Sequence, residues 1–77
     1  MDDELLAYYD EIRRLAEVKS DSREEAEDLL SETFLAAFAY RHNGGVIEHP
    51  KTYLVHTLMH KRNSLLRRKY RLPKVVS

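Results

Sequence analysis

The chain has no cysteine, only two glycines and two prolines among 77 residues, and no alternating strand-like pattern. Without cysteine, disulfides and thiolate metal sites are excluded as staples, which fits a reducing compartment. No apolar run approaches the roughly 18 residues of a membrane span, and no charged-then-apolar leader opens the chain. A glycine-rich phosphate loop is also missing, because no lysine-serine pair follows Gly44-Gly45. With few breakers and no strand signal, the composition points to an all-α fold. The length allows one small domain, which buries only about 60–65% of the surface its unfolded chain exposes.

Charge is present in quantity but unevenly placed. Residues 1–32 hold twelve acidic groups against four basic ones, a net −8. Residues 33–77 hold nine basic groups and the single acid Glu48, a net +8. Such a bipolar chain implies two surfaces with different partners, the basic one suited to a polyanion. The plainer alternative is that the two halves attract each other across the fold.

Three helices follow from the spacing. Asp2 or Asp3 caps a first helix reaching about Lys19, with Leu5, Leu6, Tyr9, Ile12, Leu15 and Ala16 on its apolar face and Tyr8 at the edge. Ser20-Asp21-Ser22 is a short turn that leaves the next helix antiparallel. Ser22 and Glu25 form a capping box that opens a helix reaching Arg41. Its apolar stripe is Ala26, Leu29, Leu30, Thr33, Phe34, Ala37 and Phe38. A second stripe, Asp28, Ser31, Glu32 and Leu35, lines a neighbouring face as either solvated surface or a docking strip. Asn43-Gly44-Gly45 breaks the chain, and Val46 and Ile47 are expected to plug the core end. Pro50, capped by His49, starts a third helix that runs to about Tyr70 and is stopped by Pro73. The expected architecture is a small three-helix bundle, a helical hairpin plus a long basic helix.

On the third helix Leu54, Leu58 and Leu65, with Val55 and Leu66, make the buried side. Tyr53, His56, His60, Ser64 and Arg67 share another face, with Asn63 adjacent. Such residues stack on bases, bond base edges and meet phosphates. Lys61, Arg62, Arg67, Arg68, Lys69, Arg71 and Lys74 add a cationic end. Complementing the helix dipole accounts for two or three of these seven, not for all. His56 and His60, four apart, are spaced to share a zinc ion, but Thr57-Leu58-Met59 between them lacks a metalloprotease glutamate and only His49 or Glu48 could add a third ligand. No nucleophile–histidine–carboxylate arrangement is present. The chain reads as a binder without metal or cofactor and not as an enzyme.

With the helices placed, Glu24–Phe38 (EEAEDLLSETFLAAF) resembles region 2.2 of sigma-70 superfamily sigma factors, particularly the small extracytoplasmic-function type. Residues 50–71 (PKTYLVHTLMHKRNSLLRRKYR) resemble regions 2.3 and 2.4, and the leading helix is consistent with region 2.1. The resemblance implies a bacterial, cytoplasmic protein without a membrane segment that serves transcription initiation. It implies docking on the β′ clamp helices of the RNA polymerase core through Asp28, Ser31, Glu32 and Leu35. The loop after that helix, His42 to His49 with Asn43, would capture a flipped base of the −10 non-template strand of promoter DNA. Lys51, Tyr53, His56, His60, Asn63, Ser64, Arg67 and Arg68 would contact the melted strand and upstream duplex. An anti-sigma factor is a further implied partner. Tyr53 stands where a tryptophan is usual, His60 replaces a common asparagine, Ser64 an acid and Ser31 a glutamine. These departures fall on base-reading and docking positions. The family continues into region 4, which this chain lacks, so residues 1–77 read as an excised region 2-like domain in preference to a shortened relative. The alternative of another class is a helical protein-interaction module without specific DNA recognition.

Overall fold

The computed structural model describes residues 3–70, with side chains from 4 to 68. Four helices form it: α1 (Asp3–Leu6), α2 (Tyr9–Val18), α3 (Arg23–His42) and α4 (Pro50–Tyr70). No strand occurs among the described residues, and the all-α expectation holds. The expected cap at Asp2, the Pro73 stop, and the cations Arg71 and Lys74 lie outside the described residues, as does the side chain of Lys69.

The first helix departs from expectation by being two pieces. At the break, the Tyr8 N–H donates to the Leu5 carbonyl at 3.1 Å, three residues back, and α2 starts from Tyr8, whose carbonyl accepts from Ile12 at 3.0 Å. Tyr8 sits at φ −101°, ψ 11°, in the sparsely allowed bridge region. No glycine or proline causes the break. Tertiary packing does: α1 lies against α4, and Leu5 becomes fully buried while Leu6 stays half exposed. Ile12 and Ala16 are buried as expected, and Leu15 packs against the core. Tyr9 is more exposed than its place in the stripe implies, yet its ring centroid lies 5.4 Å from that of Phe34.

α3 is the central element, packing on both α2 and α4. Its start is a capping box. Ser22 Oγ accepts the Glu25 N–H at 3.1 Å, and the Glu25 carboxylate accepts the Asp21 N–H at 3.2 Å, one residue ahead of the cap. Ala26, Leu29, Leu30, Phe34 and Ala37 are buried. Thr33 is fully buried too, and its hydroxyl is satisfied by donating to the Leu29 carbonyl at 2.7 Å. Ser22→Ala should cost about 1 kcal/mol. A melt followed by circular dichroism should therefore fall by roughly 4–8 °C.

The chain leaves α3 through Asn43 and Gly44, the latter at φ +94°, where a side chain would be strained. Ile47 plugs the core end as expected, at 8% exposure, but Val46 does not and is 73% exposed. Neighbouring side chains in a non-helical segment diverge, and one of the two fills the gap. The His49 carbonyl accepts the Tyr53 N–H at 2.9 Å, which places His49 at the cap of α4. Leu54 and Leu58 are fully buried. Leu65 and Leu66, expected in the core, are only half-buried. Just before them, Arg62 Nε donates to the carbonyl of Lys19 at 3.2 Å, where α2 has already ended.

Candidate functional site

The outer face of α3 is set by the burial of its inner one. Because Leu29, Leu30, Thr33 and Phe34 turn inward, Asp28, Ser31, Glu32 and Leu35 stand exposed. Leu35 is 66% exposed. Among the described residues neither Asp28 nor Glu32 holds an ion pair, whereas the nearby Glu27 faces Arg23 at 3.6 Å. The strip therefore keeps two unneutralised carboxylates beside an exposed leucine. Towards the end of the helix it continues into an open cleft of about 430 Å³ lined by Leu35, Phe38, Ala39, Arg41 and His42. His42 was expected in the base-capturing loop. It is instead the last residue of α3, beside Leu35, because the helix runs one residue further than Arg41. Asn43 is the C-cap of α3, its N–H donating to the Ala39 carbonyl at 3.0 Å.

A second open cleft, about 320 Å³, lies where the loop meets α4. Val46, Ile47, Glu48, His49, Thr52, Tyr53 and His56 line it. Of the residues singled out by the sequence, His49, Tyr53 and His56 meet there. His60, Asn63, Arg67 and Arg68 are exposed further along α4, and Ser64 is half-buried. Among the described residues, Arg67 and Arg68 hold no ion pair. Lys51 is different: its ammonium pairs with Glu11 of α2 at 3.0 Å. The hydrogen bond and charge of Glu11 push the lysine above its ordinary pKa. Arg41 likewise meets Glu4 at 3.1 Å. Attraction between the halves thus engages Arg41 and Lys51, but not the arginines of α4 beyond Arg62.

Two features escaped sequence reasoning. Thr52 lines the cleft, and Tyr40 stacks on Tyr53 with ring centroids 5.4 Å apart and planes 26° apart. An aromatic in the last turn of α3, five residues ahead of Gly45, was the available signal. For a metal, His56 and His60 are both exposed, and no group of three or more potential ligands converges among the described residues. No described helix is long and apolar enough to cross a membrane.

Comparison with known proteins addresses the same elements. The searches of curated proteins and of solved structures found no match. The family model described as Sigma-70 region 2 matches residues 5–72, from the buried Leu5 to beyond the end of α4. That span covers the exposed strip of α3, the loop and the basic helix alike, and the chain belongs to the sigma-70 region 2 family, the helical domain through which sigma factors act with RNA polymerase and promoter DNA in transcription initiation.

Proposed function

We propose that residues 1–77 form a region 2-like domain of the extracytoplasmic-function type that recognises and melts the −10 element while docked on the β′ clamp helices. The observation that carries this reading is the two-faced α3. One face is core, and the other presents Asp28, Ser31, Glu32 and Leu35, with neither acid in an ion pair among the described residues. An acidic, leucine-tipped strip suits a cationic helical partner, and the same strip is open to an anti-sigma factor. The domain acts in the bacterial cytoplasm by binding, with no catalytic step of its own.

The DNA reading rests on the cleft at the start of α4. Extruding a base costs a few kcal/mol of unstacking. One base–aromatic stack returns about 1–3 kcal/mol, and phosphate contacts add to it. Tyr53 supplies a ring, His49 and His56 supply base-edge donors and acceptors, and His60, Asn63, Arg67 and Arg68 extend the track along α4. Asn43 caps α3 ahead of the loop, Ser64 is half-buried on α4, Lys51 acts through its pairing with Glu11, and His42 is closer to the exposed α3 strip.

Retention of the chain on an immobilised β′ clamp-helix fragment tests the docking half directly, and no retention contradicts it. Titration with a short −10-like single strand beside a scrambled strand tests the other half. The −10-like strand should bind more tightly, and removing Arg67 or Arg68 should flatten the salt dependence by about 0.7 per arginine. Equal affinities that both collapse with salt would instead describe a nonspecific phosphate binder.

A further inference from the structure

Three contacts converge on Tyr40. Its ring stacks on Tyr53. Its carbonyl accepts the Gly45 N–H at 2.8 Å. Gly45 lies so close beneath the ring that a Cβ there would overlap Tyr40 Cε2. Gly44, at φ +94°, lets the chain fold back onto the end of α3 to make these contacts. Tyr40 thus holds the loop and the first turn of α4 together. Tyr53 is among the residues that line the cleft, and the Tyr40 ring stacks against it. The supporting ring also belongs to the helix that carries Asp28 and Glu32.

We propose that Tyr40 is a positioning residue for single-strand binding: it backs the Tyr53 ring and seats Gly45, and so fixes the cleft in which an unpaired base stacks. This rests on the assignment of Tyr53 as a base-stacking residue. It adds a residue from α3 to the DNA-binding apparatus and makes the glycine at position 45 a steric requirement. Unlike Gly44, Gly45 does not take a positive φ, so alanine there would have to displace the Tyr40 ring and would not strain the backbone.

The test uses the 77-residue chain and a short A/T-rich single strand carrying 2-aminopurine, whose fluorescence is quenched when it stacks. Tyr53→Ala should abolish the quenching. Tyr40→Leu should weaken binding roughly tenfold, the share of one stack, and reduce the quenching at saturation, while Tyr40→Phe keeps both. Gly45→Ala should reproduce Tyr40→Leu, and the two together should be no worse than either, because leucine leaves room for the added methyl. If Tyr40→Leu is unfolded at the working temperature, Gly45→Ala decides by the same readout. Wild-type quenching in Tyr40→Leu or Gly45→Ala, with Tyr53→Ala defective, overturns the role of Tyr40 and leaves Tyr53 standing. Wild-type behaviour of Tyr53→Ala overturns both. Affinities that merely follow melting temperature, with saturating quench unchanged, also overturn the positioning role.

Discussion

Leu58→Ala is expected to remove a large share of the stability of this chain. Leu58 is fully buried on α4, the helix that contacts each of the other three. Truncating such a leucine costs about 2–5 kcal/mol in lost transfer energy and residual cavity. At about 0.05–0.15 kcal/mol per residue, the 77 residues hold roughly 4–12 kcal/mol in total. The melting temperature should fall by about 8 °C or more, as read by circular dichroism. Leu35→Ala is the matched control. Being 66% exposed, Leu35 should move stability by no more than about 0.5 kcal/mol in either direction. A Leu58→Ala chain that melts with the wild type would mean that α4 does not pack as described.

Asp28→Arg and Glu32→Arg should each abolish binding to the β′ clamp-helix fragment while leaving helicity intact. The two residues are one turn apart on the exposed face of α3, and among the described residues neither is held by an ion pair. Reversal therefore disturbs nothing inside the fold. At the interface it turns an attraction into like-charge repulsion, worth several kcal/mol when desolvated. The expected loss is more than about a hundredfold, which corresponds to roughly 2.7 kcal/mol. With exposed charges at the proposed docking surface, the wild-type affinity should also weaken with salt. Both reversals binding as well as wild type, with unchanged circular dichroism, would remove the carboxylates from the polymerase contact.

How much of this was legible in the sequence follows from how local each feature is. The α3 start is written in Ser22 and Glu25, and its core stripe in residues 26 to 37, because capping and periodicity are decided within a few residues. The start of α4 at Pro50 is local in the same way. The break at Ala7–Tyr8 was not legible, since no glycine or proline marks it and packing of α1 on α4 creates it. Val46 and Ile47 look alike as residues, and only the loop's path separates the exposed one from the buried one. Periodicity correctly placed Tyr53, His56 and His60 along one face of α4. It could not show that His49 joins the first two in a cleft while His42 turns towards Leu35. The Tyr40–Tyr53 stack joins two helices across a loop and leaves no periodic trace.

The proposed division of labour gives the outer face of α3 to polymerase and the loop with α4 to the melted strand. An isotope-labelled sample titrated separately with the clamp-helix fragment and with the −10-like single strand tests this residue by residue through amide chemical shifts. The fragment should move Asp28, Ser31, Glu32 and Leu35 and leave Tyr53, His56 and Arg67 in place, and the strand should do the reverse. Both ligands moving the same amides, or the fragment leaving residues 28–35 unmoved, would contradict the account.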